Sequence, residues 1–205
     1  MTISPSSLAR SMACPASVKL SVGQKAYENQ AMINARDKGT RIHALLSAAI
    51  EIGSEIIGAS GLDKVERDMC VKAYNQIYDM FDPKTDEIIS EDSLDFEKYG
   101  MMKTGREGEH QADVVILTRD KKGVVTHAFV IDLKTGKTPV SVASIDDNDK
   151  ASYNPQLMAY AIGVKDKYKP KKITIGICQP ILHDHVIFAH VPAKTLAKFR
   201  KDMTR

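Results

Sequence analysis

The residues best able to do chemistry stand in Phe129-Val130-Ile131-Asp132-Leu133-Lys134-Thr135-Gly136-Lys137. An apolar run ends there in a carboxylate and an ammonium two residues apart. In a strand these project from one face, with Leu133 opposite. Such charges beside a core are costly to bury unless they pair or hold a metal. A second β-rich run, Ala112-Asp113-Val114-Val115-Ile116-Leu117, precedes the polar turn Asp120-Lys121-Lys122-Gly123. This pattern predicts a hairpin that brings Asp113 into the same sheet as Asp132 and Lys134. Two carboxylates on adjoining strands, with the Leu133 carbonyl as a further oxygen, suit Mg2+ or Mn2+. A lysine beside that cation orients or deprotonates a water, or stabilises charge developing on a phosphate. Taken alone, an Asp-x-Lys triplet is more often a strand-end salt bridge.

Two further observations make the triplet more specific. Gln156 and Tyr160 are four residues apart on a predicted helix and share one face. His43, far upstream, offers a nitrogen ligand. Several lookalikes carry less. His183-Asp184-His185 reads as a solvated turn, and Asp146-Asp147-Asn148-Asp149 lacks the glycine and terminal glutamate of a calcium loop. Thr135-Gly136-Lys137-Thr138 is not a P-loop, because Ile131 stands where that pattern needs glycine, so no nucleotide is expected. Cys14, Cys70 and Cys178 are scattered and form no CxxC pair, which predicts reduced thiols and neither a cysteine zinc site nor an iron-sulfur cluster.

Helices, then strands, must position these groups. Gly39-Thr40 is a helix start signal, with Thr40 capping a helix over 41–52 and His43 in its first turn. Residues 53–61 read as a small-residue linker. Residues 62–81 have a helical stripe of Leu62, Val65, Met69, Ala73, Ile77 and Phe81, ended by Asp82-Pro83. Residues 17–20 restart a short N-terminal helix, and 87–96 read as a strand. After the hairpin come a polar loop, a helix over 153–164 with Pro155 in its first turn, strands over 173–179 and 186–191, and a basic helix from Pro192 to about Met203. The order predicts an α+β (mixed α/β) domain.

With 205 residues the chain has the length of one domain. Hydrophobic residues at 43% and charged residues at 27% match average globular composition and argue against disorder and membrane insertion. A net charge of +3 permits nucleic-acid binding without demanding it. No apolar run approaches the length of a membrane span, and the first residues lack a leader's apolar core. A soluble, cytoplasmic protein is therefore expected.

Asp113, then Ile131-Asp132-Leu133-Lys134-Thr135-Gly136, then Gln156 and Tyr160, with Gly39-Thr40-Arg41-Ile42-His43 upstream, resemble the RecB-type branch of the PD-(D/E)XK nucleases. The resemblance is to a phage family of RecB-like exonucleases and extends from Cys14-Pro15 to Gln179-Pro180. It implies a restriction-endonuclease-like core in one domain over 1–205: a mixed sheet flanked by helices, with a helical region over about 1–82 packed on it. It implies Asp113 and Asp132 as metal-binding carboxylates, Lys134 as the catalytic lysine and His43 as a further ligand. Gln156 and Tyr160 would support the site and contact DNA. An extra upstream carboxylate occurs in some relatives, for which Glu91, Glu107 and Glu109 all remain open.

The activity implied is Mg2+- or Mn2+-dependent DNA hydrolysis, exonucleolytic rather than endonucleolytic, in phage-type recombination inside a bacterial host. Linear duplex ends would be the substrate and a single-strand annealing protein a partner, and a homo-oligomer is compatible with it. Two rivals remain: a catalytically silent DNA-binding or scaffold protein of the same fold, and a different metal-dependent hydrolase using the same carboxylates.

Overall fold

The two apolar runs around the polar turn do pair, and the rest of the chain is built on them. A computed structural model describes residues 5–14, 16, 29–99, 110–145 and 151–203. Strands β2 (Gln111–Arg119) and β3 (Val125–Leu133) form the antiparallel hairpin, with Val114 opposite Ile131 and Ile116 opposite Phe129. Strand β1 (Asp86–Ser93) pairs antiparallel with β2. On the other side of β3, strand β6 (Lys172–Cys178) runs parallel, and β7 (Ile187–His190) closes the order β1-β2-β3-β6-β7.

A parallel pair needs a crossover, here the helix α5 (Pro155–Tyr168). Asn154 caps α5 and Pro155 occupies its first turn; Leu157 through Val164 are all buried. An apolar surface all the way round is what a helix sandwiched in a core requires. Gly163 lets α5 approach closely: a Cβ there would lie 3.0 Å from Leu94 and Phe96 atoms. The C-terminal helix α6 (Ala193–Met203) and the N-terminal α1 (Leu8–Ala13) pack on this side.

The opposite face carries α2 (Gln30–Ile52), the short α3 (Glu55–Ala59) and α4 (Lys64–Tyr78). Ile42, Leu46, Ala49, Met69, Ala73 and Ile77 bury themselves against Val114, Ile116 and Ile131 of the sheet. The sheet is thus covered on both faces by separate apolar clusters, a mixed α+β architecture as expected. No helix of the described residues is long and apolar enough to cross a membrane.

The differences from the sequence expectations have local causes. Helix α2 starts at Asn29, whose side chain accepts from the Met32 amide, not at Thr40. The Thr40 hydroxyl donates instead to the Arg36 carbonyl at 3.1 Å, so His43 lies mid-helix rather than in a first turn. The supposed linker contains α3. The helix expected over 62–81 is shorter, held at its start by an Asp63–Glu66 capping box. Its buried stripe includes Glu66 and Gln76, while Val65 is 61% exposed. Glu66 is retained inside by Arg41 at 2.6 Å. The polar loop after β3 contains a small ribbon, β4 (Ala143–Ile145) with β5 (Ala151–Tyr153). The helix start at 17–20, the acidic run 146–149, Glu107 and Glu109 lie outside the described residues.

Candidate metal centre

The hairpin register sets the centre of the site. One step beyond the Val114–Ile131 pair, Asp113 and Asp132 occupy neighbouring positions on adjacent strands. Asp113 Oδ2 accepts from the Leu133 amide at 2.6 Å, which fixes the carboxylate at the end of β3. In extended backbone the N–H and C=O of one residue point to the same side. The Leu133 carbonyl is therefore directed toward the β2 side, where Asp113 lies.

Helix α2 brings His43 from the opposite face of the sheet. Its Nδ1 lies 3.3 Å from Asp113 Oδ1 and 4.0 Å from Glu91 Oε1. His43, Glu91 and Asp113 each offer one ligand atom, and these atoms lie within 4.8 Å of one another. Of the three upstream glutamates left open by the sequence, Glu91 stands at this cluster. Its backbone is unusual: φ is 49° inside strand β1, a left-handed conformation that side-chain-bearing residues adopt at a cost of about 1–3 kcal/mol. The β1–β2 register continues unchanged on both sides, Ser90 opposite Val114 and Asp92 opposite Ala112, so Glu91 stands across from Asp113.

Asp132 is almost fully buried, and its Oδ2 lies 2.7 Å from Lys134 Nζ. That ammonium sits off the direction a hydrogen bond requires, so the buried oxygen has a charge partner and no directed donor. Lys134 Nζ donates to Gln156 Oε1 at 3.3 Å, and Gln156 Nε2 donates to Tyr160 OH at 3.2 Å. Asp132, Lys134, Gln156 and Tyr160 thus form one chain of contacts running from β3 onto α5. The four-residue spacing of Gln156 and Tyr160 places both on the helix face turned to the site.

The electrostatics follow from burial first and from like charge second. Burial, then the nearby Asp113, pushes the Asp132 carboxyl up to about 6, opposed by Lys134 and His43. Burial, then Asp113, also raises Glu91, opposed by His43. Burial alone would lower His43, but its contact with Asp113 and the charges of Glu91 and Asp132 raise it overall. Tyr160 is raised by burial and stays a neutral phenol.

Three carboxylates face one lysine and one imidazole. A polar site with excess negative charge, hard oxygen donors, one imidazole nitrogen and a buried carboxylate oxygen without a donor fits a divalent cation. Of these groups His43, Glu91 and Asp113 line a cleft of about 860 Å³, together with Tyr160 and with Arg36, Thr40 and Glu51 of α2, and Asp132 lies behind them.

Two supports had no clear signal in the sequence. Gln179, fully buried just after β6, donates to the Gly136 and Thr138 carbonyls at 2.8 Å each and accepts from the Val140 amide at 3.2 Å. It pins the loop that follows Lys134. Gly39, in the middle of α2, lies where a Cβ would come within 3.2 Å of Thr135 Oγ1. Its lack of a side chain lets α2 run close to the residue after Lys134. The other lookalikes stay outside the site: Asp184 pairs with Lys72 at 2.7 Å, and Cys70 and Cys178 are buried free thiols pushed up to about 11 and 12 by burial.

The whole chain, residues 1–205, belongs to a family described as "Protein of unknown function (DUF2800)". No curated protein matches it.

Proposed function

We propose that this protein is a divalent-metal-dependent DNA nuclease of exonuclease type. One observation carries the reading. Residues from five separate segments (His43, Glu91, Asp113, the Asp132–Lys134 pair, and Gln156 with Tyr160) come together in one cluster, linked by short contacts, beside one cleft. The resemblance to RecB-type nucleases was built on most of the same residues and supports the same chemistry.

His43, Glu91 and Asp113, with Asp132 and the Leu133 carbonyl alongside, would hold Mg2+ or Mn2+. Such a cation supplies Lewis acidity toward a phosphate oxygen and acidifies a water near neutral pH. The chain's own groups do the rest. Lys134, held at Asp132 and Gln156, would stabilise negative charge developing on the attacked phosphate. Gln156 and Asp132 hold that ammonium from two sides, and Tyr160 fixes the Gln156 amide. His43, tied to Asp113, keeps one ring nitrogen turned to the carboxylates. The strained Glu91 backbone aims a third carboxylate at the same point.

The test uses purified protein with end-labelled linear duplex and covalently closed circular DNA, in Mg2+, Mn2+ or EDTA. Metal-dependent loss of the linear DNA with the circle spared is expected. Cutting of circles would reassign the protein as an endonuclease. Binding without cutting under any metal would overturn the catalytic reading in favour of a silent DNA-binding fold.

A further inference from the structure

The sheet face that carries α2 and α4 is not covered to its far edge. Near the site, α4 seals it through Gln76, which donates to the His183 carbonyl at 2.7 Å and accepts from the Cys178 thiol. Toward the Lys172 end and strand β7, no described helix shields the surface. Phe188 is 51% exposed and His190 is exposed. The register aligns side chains across three strands: Phe129, Thr174 and His190 form one row, and Ile131, Gly176 and Phe188 the next.

Aromatic rings make up much of that surface. His127 lies against Phe129 with ring centroids 4.2 Å apart, and Phe129 meets Phe188 edge-on at 6.4 Å. The His127 ring is held in place by Thr174 Oγ1 at 2.9 Å. His190 and Lys172 are close enough to His127 to lower its pKa, after burial as the first cause, against one opposing carboxylate, Asp86. Lys172 has no acidic group within ion-pair distance among the described residues.

A second, independent feature adjoins this face. Lys172 and His190 also line a pocket of about 230 Å³ whose other charged walls are Lys165, Lys171 and Arg200, over a floor that includes Ile173 and Leu196. Every ionisable side chain on the pocket is basic; Arg200 pairs with Asp166 at 2.7 Å and Lys171 stands 3.9 Å from Asp120, outside the lining. A ring row on a sheet, with Phe188 exposed and His127 and Phe129 half-buried, edged by Lys172 beside a pocket of basic side chains, matches the chemistry of a single nucleic-acid strand: bases stack on the rings while phosphates meet the ammonium groups. A protein partner has less to recommend it, because Lys172 at the edge of the ring row pairs with no carboxylate of the described residues and presents its charge to an anionic ligand.

We propose that the His127–Phe129–Phe188 face, with Lys172 and His190, is a stacking platform for single-stranded DNA, separate from the cleavage cleft. Asp132 pairs with Ile177 of β6, which in turn pairs with Ile187 of β7. Phe188 therefore lies two strands and one residue from the catalytic strand end, on the face carrying α2 and α4. The platform would hold an unpaired strand while duplex DNA occupies the cleft. In naming DNA as the ligand it rests on the nuclease reading, but its test does not require cleavage.

The chain contains no tryptophan, so Phe188→Trp creates a lone fluorescent reporter at the centre of the platform. In EDTA, titration with an unlabelled oligothymidine strand is expected to quench that fluorescence while wild-type affinity is retained. Phe188→Ala is expected to weaken binding of a labelled strand on the order of tenfold, the scale of one lost base stack. Lys172→Glu is expected to weaken it and to lower the slope of log K against log salt by about one. Cleavage of duplex DNA by both variants should stay close to wild type.

Unchanged single-strand affinity in Phe188→Ala and Lys172→Glu, or no quenching in Phe188→Trp, would overturn the platform even if the protein cuts duplex DNA. Concentration-dependent dimerisation lost in Phe188→Ala would overturn it by assigning the face to a second copy. Single-strand binding that depends on Phe188 in a protein that cuts nothing would support the platform and remove the nuclease reading.

Discussion

Two aspartates in this molecule, Asp132 and Asp92, are buried almost completely and each is ion-paired to one lysine, yet only Asp132 faces other carboxylates. Asp92 Oδ1 meets Lys167 Nζ at 2.5 Å and accepts from Tyr168 OH at 3.1 Å, both on α5. Asp132 Oδ2 meets Lys134 Nζ at 2.7 Å, just past the end of its own strand. In each case one carboxylate oxygen is buried without a directed donor. The difference lies around them. Asp92 ties the last turn of α5 to β1, and Lys167 leaves the pair for solvent, 44% exposed. Asp132 sits beside Asp113, with Glu91 and His43 beyond, at the wall of a cleft. A buried acid–lysine pair by itself therefore says little about function; further acids and a histidine gathered around it separate a site from a strut.

Replacing each aspartate by asparagine should break the likeness most sharply. Asp132→Asn is expected to lower metal-dependent cleavage on the order of a thousandfold, the scale of losing a group placed at the reacting phosphate. Its thermal midpoint should stay level or rise, because repulsion with Asp113 is removed. Asp92→Asn should do the reverse. Cleavage stays near wild type while stability falls by about 1–3 kcal/mol, from a weakened Tyr168 contact and a lost charge partner for Lys167. Rate assays and denaturant melts on both proteins check this. Full activity in Asp132→Asn would sink the assignment of the site.

Cation binding gives the next largest contrast. A ligand that binds only the folded state at one hundred times its Kd stabilises by about 2.7 kcal/mol, or roughly 5–10 °C for a chain of this size. Mn2+ is expected to raise the melting temperature of the wild type and of Asp92→Asn on that scale. His43→Ala and Glu91→Gln should lose most of the rise. A full rise in Glu91→Gln would remove that residue from the ligand set and leave its left-handed backbone without a purpose.

Much of this site could be read from residue order alone, and the reason differs element by element. The hairpin, β6 and α5 have periodicities that local physics enforces: β-branched runs around a glycine-containing turn, and an apolar stretch behind an Asn-Pro start. Asp113, Asp132 and Lys134 are positioned by that register, so their proximity followed from the pattern. Glu91 did not, because its place depends on one left-handed backbone angle that no neighbouring residue announces. The start of α2 was misplaced by a glycine that resembles a boundary but serves tertiary packing against Thr135. Val65 shows the same limit from the other side: period suggested burial, but the capping box and the Arg41–Glu66 pair rotate α4 so that Glu66 faces inward instead.

Acid and base titration should distinguish the crowded aspartate next. Asp132 is raised in the folded state, so the folded protein binds its proton more tightly than the unfolded chain does. Stability from this group is greatest below the ordinary carboxylate range and is lost as pH rises from about 4 to about 6. His43 is also raised, so its contribution is complete below 6.5 and is lost as pH rises through its higher folded value. Both signs agree: without metal, the wild type should lose stability from acid to neutral pH. Glu91, raised as well, keeps part of the loss in this range, so Asp132→Asn should reduce the loss between pH 4 and 6 and, by removing one charge that raises His43, also the loss above it. Chemical denaturation in EDTA at pH 4.5, 6 and 7.5 measures both. An identical pH profile in wild type and variant would mean that Asp132 is not crowded in solution.

The smallest expected effect concerns the close approaches that support each aspartate. A Cβ at Gly163 of α5 would meet Leu94 and Phe96 atoms at 3.0 Å, on the side of the sheet where Asp92 holds α5 to β1, while a Cβ at Gly39 of α2 would meet only the hydroxyl of Thr135, at 3.2 Å. A methyl at Gly163 has core atoms to displace, so Gly163→Ala should destabilise without touching cleavage. At Gly39 the helix gains about 1 kcal/mol of propensity, and the neighbour that must give is a side-chain oxygen. Gly39→Ala is therefore expected to leave stability level or slightly higher. The shift it forces on Thr135 passes to Lys134, the next residue, and misplacement of a catalytic group by even part of an ångström lowers rate. Cleavage should fall severalfold. Removing the obstructing hydroxyl in Gly39→Ala/Thr135→Ala should restore it, and a double-mutant cycle on rate then reports the coupling of α2 to the lysine. Rates that are additive across the cycle would show that α2 does not position Lys134.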